Sequence, residues 1–177
     1  MVTTLLSDVD RYLILLGKEQ EKRTRLKKLL LLCSPRLMPV FLVRLSLSCI
    51  PVISKLISLM NVVVFGLEVN TKCKIESGLF FPHTVGSVIG ARKIGCNCTI
   101  FQGVTIGAKE LDFSNSKEKR PSIGDDVIIG AGAKILGNIH IGNNVTIGAN
   151  SVVTKSIPDD CTVVGNPSRI IGLENDG

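Results

Sequence analysis

Branched aliphatic residues recur at every sixth position through the second half of this chain, from Val88 to about Ile157. Each unit of six begins with Ile or Val, and the fifth place of each unit holds a small or apolar residue. The leading places are Ile94, Ile100, Ile106, Ile123, Ile129, Ile135, Ile141, Ile147 and Val153. The fifth places are Cys98, Val104, Val127, Ala133, Ile139, Val145, Ser151 and Ile157. The rest of the chain is organised around this repeat.

A fixed period of six predicts a solenoid of short strands. One unit forms a strand and a bend, and its first and fifth side chains become buried only when coils stack on one another. Ile and Val suit such a pleated, buried surface, whereas a helix needs apolar places three and four residues apart. Gly follows the leading residue in most units, and we expect it to relieve the bend with a positive φ. A sandwich of short strands is the alternative, but its strands keep no constant register over so many units.

The first 65 residues have a different pattern, which predicts helices. An apolar stripe at helical spacing indicates a helix over residues 1–33; its members are Leu5, Leu6, Val9, Leu13 and Leu16. From Leu29 to Phe65 the chain is more apolar and is interrupted by three prolines and three basic residues. We expect two or three short helices there, packed on the solenoid or on neighbouring subunits.

The same apolar stretch raises the question of a membrane. Its longest uncharged run, Leu56 to Leu67, has twelve residues, and a spanning helix needs about 20. We therefore expect no transmembrane helix, and no cleavable signal peptide, because the start of the chain is polar and acidic. The expected location is the cytoplasm. A basic amphipathic surface that touches the inner face of an anionic membrane stays an open alternative for residues 1–65.

The positive charge of the chain is concentrated in this first segment. Residues 1–65 hold ten Lys and Arg against four Asp and Glu, while residues 66–177 hold eleven of each. Tyr12 and Phe41 are the only aromatic side chains among the basic ones, so the stacking platforms of a single-strand binder are missing. We expect no nucleic-acid partner.

Two breaks interrupt the repeat. The step from Phe81 to Val88 is seven residues instead of six, and it contains His83. A register change of this kind re-aims a side chain, as bulges do near active sites. The second break, residues 107–122, is rich in charged side chains, and a loop of this length in a strict repeat suggests a functional role.

The six cysteines are scattered and form no CxxC pair. Cys98 takes an inward fifth place and Cys96 an outward third place, so we expect Cys98 to fill the core. All six are predicted to be reduced thiols. Since no ligand spacing is present, we expect no metal site.

Four segments resemble hexapeptide-repeat acyltransferases, and within them the serine acetyltransferase branch and its relatives that O-acetylate sugars. They are Phe81-Pro-His-Thr-Val-Gly86, Gly103-Val-Thr-Ile-Gly107, Ile129 to Gly137, and Gly165-Asn-Pro-Ser-Arg169. The resemblance covers about residues 66–172. It implies a mainly β fold: a left-handed parallel β-helix with three units in each triangular coil. The expected organisation is a helical N-terminal segment (1–65), the β-helix (66–172) with an extruded loop (107–122), and a tail (173–177).

The resemblance also implies a homotrimer that uses acetyl-CoA as co-substrate and needs no metal. In that family the cofactor lies in a groove between adjacent β-helices, and the extruded loop reaches across to a neighbouring subunit. A trimer and a dimer of trimers are both left open.

His83 is the candidate catalytic residue. Acetyl transfer to a hydroxyl needs a base, and imidazole, with an unperturbed pKa of about 6.5, suits that task. From its spacing alone a structural role is the more frequent outcome for a single His; the match of Pro82-His83-Thr84-Val85-Gly86 to the family's catalytic segment favours catalysis. His140, the other His, is expected to face outward without a catalytic role. Transfer would be direct, with backbone N–H groups holding the oxyanion, because no Cys or Ser has a nucleophile's setting.

The resemblance also assigns a binding site. The predicted cofactor-binding residues are Ala131, Gly132, Ala149, Asn150, Thr154, Lys155 and Arg169. The small residues would let the cofactor approach the backbone, and the basic ones suit its phosphates. For each of them a purely structural or solvated role is an open alternative. Lys119 and Arg120, at the end of the extruded loop, are the predicted acceptor-binding residues.

The chain departs from the serine-specific pattern. Pro82 stands where the family has an acidic residue, Lys119-Arg120 stands where it has Arg-His, and the helical segment and the tail both differ. These departures favour a sugar hydroxyl as acceptor, as in a surface polysaccharide or capsule precursor. The alternative is a serine O-acetyltransferase of cysteine biosynthesis, and a non-catalytic β-helical scaffold is a remote one. A zinc enzyme of the carbonic-anhydrase kind needs several His, and this chain has two.

Overall fold

The structure is a computed structural model that describes residues 2–17, 28, 31, 34, 36–112 and 116–171. Before the first strand the structure gives bounds for three helices: α1 (Val2–Leu15), α2 (Met38–Ser48) and α3 (Pro51–Phe65). α1 ends at Leu15, so the predicted helix over residues 1–33 is not continuous. Of residues 18–33 the structure describes Lys28 and Leu31, both helical, and the rest of that prediction lies outside the described residues. Gly17, just after α1, adopts a φ of +66°, a left-handed conformation that ends helices.

From Leu67 the chain coils into a left-handed parallel β-helix with three faces. The first face is built from β1 (Leu67–Val69), β3 (Ser87–Ile89), β6 (Thr105–Gly107), β9 (Lys134–Leu136) and β12 (Val152–Val153). The second face is built from β2 (Lys74–Ile75), β4 (Lys93–Ile94), β7 (Ser122–Ile123) and β10 (His140–Ile141). The third face is built from β5 (Thr99–Ile100), β8 (Ile128–Ile129), β11 (Thr146–Ile147), β13 (Thr162–Val164) and β14 (Arg169–Ile171).

The register of the strands confirms that three units form one coil. Ile100 pairs with Ile129, and Ile129 pairs with Ile147, so each leading residue lies directly over its equivalent in the next coil. The leading and fifth side chains form one buried column; Ile129, Val127, Ala133 and Ile135 are all fully buried. Cys98 is 0% exposed and fills this core as predicted.

The register of the second coil differs from the prediction. Ile89 is buried and pairs with Val69 and Ile106, whereas Val88, the predicted inward residue, faces outward and is 40% exposed. The step from Phe81 to Ile89 is therefore eight residues and the next step, to Ile94, is five. Because the two irregular steps nearly compensate, the period alone could not locate the inward residue.

The last coil also shifts. Ile157 pairs with Ile141 and takes a leading place, not the predicted fifth place. The step from Val153 to Ile157 is four residues instead of six, so this unit is two residues shorter than a full one.

Glycine acts differently from the prediction at the bends. Positive φ falls in the fourth place of eight units, at Gly78, Asn97, Gly103, Asp126, Gly132, Asn144, Asn150 and Asp160. Most second-place glycines are required by close approach instead, with Gly107 as an exception. A Cβ on Gly124 would lie 2.6 Å from the carbonyl oxygen of Gly142 in the next coil.

Three edges join the faces. We call the edge between the third and first faces the histidine edge; its corners are residues 82–86, 101–104, 130–133 and 148–151. The loop edge, between the first and second faces, has corners 70–73, 90–92, 108–121, 137–139 and 154–156. The amide edge, between the second and third faces, has corners 76–79, 95–98, 124–127, 142–145 and 158–161.

The helices cover the first coil. α1 packs over the start of the third face, where the rings of Tyr12 and Phe80 lie 5.7 Å apart. α3 ends at Gly66 in a left-handed conformation and leads directly into β1. Within the described residues, every helix is too short or too polar to cross a membrane.

Candidate active site

His83 lies at the first corner of the histidine edge, where two hydrogen bonds hold the corner to the end of α3. The hydroxyl of Thr84 donates to the carbonyl oxygen of Phe65 at 2.7 Å. The amide of Gly86 donates to the carbonyl oxygen of Gly66 at 2.9 Å. Thr84 is buried, while the side chain of His83 is exposed. The corner is thus fixed and its imidazole projects from the surface.

A cavity of about 240 Å³ opens beside His83. Its lining residues are Arg36, Pro39, Phe81, Pro82, His83, Thr84 and Val85. Arg36 is the one lining residue with a permanent charge. Arg36 and Pro39 come from the helical segment and are not among the site residues predicted from the sequence. Their only signal is a basic residue and a proline within an apolar stretch, and that signal has no chemical specificity.

Hydrogen bonds between successive coils continue the histidine edge beyond His83. The amide of Gly103 donates to the Val85 carbonyl oxygen at 3.0 Å, and the amide of Asn150 donates to that of Ala131 at 2.8 Å. Four of the predicted cofactor-binding residues, Ala131, Gly132, Ala149 and Asn150, therefore lie on the edge that His83 begins. The sequence placed them about 50 and 65 residues away from it.

This edge presents backbone atoms to the outside. Gly132 has a φ of +73°, and a Cβ placed on Gly103 would lie 3.6 Å from the backbone of Gly132. A ligand lying along the edge would meet peptide groups more than side chains. Lys134, which the sequence analysis did not select, lies beside the edge and donates to the Gly103 carbonyl oxygen at 2.7 Å.

Arg169 lies beyond the last corner of the same edge. The amide of Gly165 donates to the hydroxyl oxygen of Ser151 at 3.1 Å, so the turn that precedes Arg169 sits on the end of the edge. Arg169 then pairs with Val164 in the antiparallel strand β14 and is exposed. Thr154 and Lys155 are exposed as well, but they belong to the loop edge. Within one chain they do not share an edge with His83.

The predicted acceptor-binding residues also lie on the loop edge. Lys119 ends a short 3₁₀ helix, Lys117–Lys119, and is exposed. Arg120 donates to the carbonyl oxygen of Gly90 at 3.0 Å and lies 3.7 Å from a carboxylate oxygen of Asp112. The structure does not bring Lys119 or Arg120 to His83 within a single chain.

A second cavity, of about 430 Å³, lies over the first face near the loop edge. Arg120, Lys55 of α3, Glu68 and Asn70 give it a polar lining. His140 lies on the second face with an exposed side chain, and no cavity described here includes it. In the described part of the chain, no three His, Cys, Asp or Glu side chains group as they would around a metal ion.

Comparison with known proteins relates this geometry to a family. Residues 120–155 match the bacterial transferase hexapeptide model, which describes six repeats. A serine acetyltransferase of Synechococcus elongatus is 45% identical over 123 residues, which cover 69% of this chain and 49% of that protein. The chain thus spans about half the length of that relative.

Solved structures agree in fold. The serine acetyltransferase of Neisseria gonorrhoeae in complex with serine has a TM-score of 0.76 and 29% identity, and the match covers 94% of this chain and 67% of that chain. A serine acetyltransferase in complex with CoA has a TM-score of 0.75 and 26% identity, covering 94% of this chain and 68% of that one.

These relatives contradict one prediction. A sugar or capsule precursor was the predicted acceptor, because residues of the serine-specific pattern are missing. Relatives at 45% and 50% identity are named serine acetyltransferases, and solved structures that resemble this chain carry the same name. The prediction of a sugar acceptor is therefore wrong, and the names of these relatives match its stated alternative, a serine O-acetyltransferase.

Proposed function

We propose that the protein is an acetyl-CoA-dependent serine O-acetyltransferase, because residues 120–155 match the bacterial transferase hexapeptide model and relatives of 45–50% identity are named serine acetyltransferases. One observation carries the proposal: His83 stands at the head of an edge whose following corners are Ala131-Gly132 and Ala149-Asn150. An exposed imidazole and a track of accessible peptide groups are what direct acetyl transfer from a long thioester cofactor requires.

His83 would act as the general base. Its imidazole nitrogen takes the proton of the serine hydroxyl as the oxygen attacks the acetyl carbonyl carbon. The C–O bond forms, the tetrahedral intermediate collapses, and the C–S bond breaks. The departing CoA thiolate recovers the proton from the imidazolium, which restores neutral His83. No covalent acyl-enzyme is needed.

Acetyl-CoA would lie along the histidine edge with its thioester at His83. Small side chains at Ala131, Gly132 and Ala149 leave the backbone open to the amide groups of the pantetheine arm, and Asn150 adds an exposed amide. Arg169, beyond the end of the edge, is placed to meet the cofactor's phosphates. The edge has the extended form that such a ligand needs.

A homotrimer would complete the site. The histidine edge of one subunit would lie beside the loop edge of the next, which carries Thr154, Lys155, Lys119 and Arg120. These residues would then reach the cofactor and acceptor of the neighbouring subunit, which they do not approach within their own chain. Their shared position on the loop edge supports this arrangement.

The cavity beside His83 would hold the acceptor. Serine carries a carboxylate, and a guanidinium is the preferred protein partner for that group. Arg36 supplies a guanidinium in this cavity. Arg120 is already engaged with Gly90 and Asp112, so we assign the carboxylate to Arg36.

The proposal is tested by incubating the full chain with acetyl-CoA and serine and following CoA release with a thiol reagent. Saturable release that depends on serine, with O-acetylserine identified by mass spectrometry, is the expected result. N-acetylglucosamine and homoserine serve as comparison acceptors. A protein that acetylates none of the three, or prefers the sugar, would show that the assignment is wrong.

A further inference from the structure

Helix α3 buries polar residues and exposes apolar ones. Within α3 the buried residues are Ser54 and Asn61. The exposed side chains include Val52, Leu56, Leu59, Met60, Val63 and Val64, and the exposed fraction of Val63 reaches 75%. An ordinary surface helix shows the opposite arrangement. Contiguous exposed apolar surface of this kind marks a contact surface.

The apolar surface of α3 is wide. At about 100° per residue, its exposed apolar side chains spread over roughly 200° of the helix circumference. Lys55 is the single charged residue of the helix. The opposite side of α3 is already occupied, since the side-chain amide of Asn61 donates to the Pro39 carbonyl oxygen of α2 at 3.4 Å. The exposed side therefore has no partner among the described residues.

The apolar surface continues past the end of α3. Val85 lies beside Gly66, whose carbonyl oxygen accepts a hydrogen bond from Gly86, and the side chain of Val85 is 72% exposed. Val85 also lines the cavity that contains His83. The apolar patch thus reaches the rim of the proposed acceptor site.

The sequence segment that contains α3 carries the excess positive charge of the chain. Residues 22–67 contain eight Lys and Arg and no Asp or Glu; Arg44 is buried against Asp8 and Lys28 pairs with Asp10, whereas Arg36 and Lys55 are exposed. The β-helical remainder of the chain is neutral by the same count, with eleven residues of each sign. An apolar helix within a long basic segment free of acidic residues is complementary to an anionic lipid surface. Two copies of such a segment placed against each other would bring like charges together.

We propose that α3 docks the protein on an anionic lipid surface. The helix lies in the plane of the interface, because its 15 residues are too few to span a bilayer. Val52, Leu56 and Val63 enter the boundary between headgroups and acyl chains, and Lys55 meets the headgroup phosphates. The cavity beside His83 then opens close to the membrane.

Vesicle flotation of the full chain tests this directly. The probes are vesicles of phosphatidylcholine alone and of phosphatidylcholine with 30% phosphatidylglycerol, at about 0.15 M salt. We expect the protein to float with the anionic vesicles and to dissociate as salt is raised, because the electrostatic part is screened. Leu56→Glu and Val63→Glu should each lower the bound fraction at least about tenfold.

Leu111→Glu is the matched control, since Leu111 is 85% exposed but lies in the loop; it should float as the wild type does. Thermal unfolding of each variant verifies its fold, and exposed positions should tolerate the change. Equal binding to neutral vesicles, or no effect of Leu56→Glu, would overturn the proposal. The proposal would also be overturned if the wild type fails to float and forms an oligomer that Leu56→Glu dissociates. A second copy of the chain would then cover α3.

Discussion

The carboxylate of Asp8 and the guanidinium of Arg44 form a buried two-point ion pair. Nε of Arg44 lies 2.9 Å from one carboxylate oxygen, and Nη2 lies 3.0 Å from the other. Asp8 is 0% exposed and Arg44 5%. The amides of Gly78 and Leu79 donate to the same carboxylate at 2.7 and 3.1 Å. The pair therefore joins α1 and α2 to the first coil of the β-helix.

Arg44 also contacts the end of the β-helix directly. Its guanidinium donates to the carbonyl oxygens of Ile75 and Glu76 at 2.6 and 2.5 Å. Burial raises the pKa of the Asp8 carboxyl, and the Arg44 guanidinium and the two amides oppose that shift. The hydrogen bonds thus offset part of the cost of burying both charges.

Asp8→Ala should destabilise the protein by about 3–5 kcal/mol, because it leaves the Arg44 charge buried without its partner. Urea unfolding measures the effect. Asp10→Ala is the control, since Asp10 pairs with Lys28 near the surface and such pairs contribute about 0–1 kcal/mol. Equal losses for the two variants would show that the buried pair adds nothing beyond its surface counterpart.

His83→Ala should lower kcat for serine acetylation by about 10²–10⁴-fold, the usual contribution of a positioned base. His140→Ala should leave kcat unchanged, since the exposed His140 lies on the second face. Steady-state kinetics at saturating acetyl-CoA provide the comparison. A decrease below tenfold for His83→Ala would remove His83 from the catalytic role.

Arg36→Ala should raise the KM for serine about 10–100-fold, the loss expected when a charged hydrogen bond worth about 1.5–3 kcal/mol is removed. The KM for acetyl-CoA should stay unchanged. Serinamide, which lacks the carboxylate, should be acetylated equally by the wild type and by Arg36→Ala. If Arg120→Ala produces the carboxylate-dependent effect instead, the acceptor is held by the loop and not by the helical segment.

Gly124→Ala should destabilise the β-helix by about 1–3 kcal/mol, because the added methyl group meets backbone atoms of the next coil. Gly107 has open space around it, so Gly107→Ala should be neutral or slightly stabilising. Chemical denaturation measures the free energy of unfolding of both variants. The comparison shows whether glycine is required in the second place by close packing of the coils or by the turn conformation. A neutral Gly124→Ala would contradict the close approach of the coils.

Iodoacetamide at pH 8 should label Cys96 at least about tenfold faster than Cys98 in the folded protein. Burial raises the pKa of the Cys98 thiol to about 11, so almost none of it is thiolate at pH 8. Cys96, two residues earlier, is half-buried and faces outward. Residue-level mass spectrometry reads the labelling, and unfolding in urea should equalise the two rates.

The repeat determined how much of the fold the sequence could predict. A period of six with Ile or Val leading each unit allows one burial pattern, so the coils around Ile129 and Ile147 were placed correctly. The second coil was misplaced because a long step to Ile89 and a short step to Ile94 nearly cancel. The spacing from Phe81 to Ile94 is close to two units, so a period of six does not show where the inward residue between them lies.

The part of the site that lies on the repeating corners of the β-helix could be predicted from the sequence. The part formed where segments distant in sequence meet could not. His83 and the corners at Ala131 and Ala149 come to one edge because three units make a coil, which the resemblance supplied. Arg36 reaches His83 only through the packing of α2 on the first coil. Asp8 and Arg44 are 36 residues apart in sequence, and no sequence pattern around either residue indicates that the two form an ion pair.

A stack of coils has two open ends, and each would otherwise offer unpaired peptide groups to another copy. Here Asp8 and Arg44 take up N–H and carbonyl groups of the first coil, and β14 reverses direction to run antiparallel to β13 on the last. The first coil is thereby covered by a charge pair, and the third face of the last coil by a returning strand. Both contacts oppose the end-to-end addition of another copy at the peptide groups that they occupy.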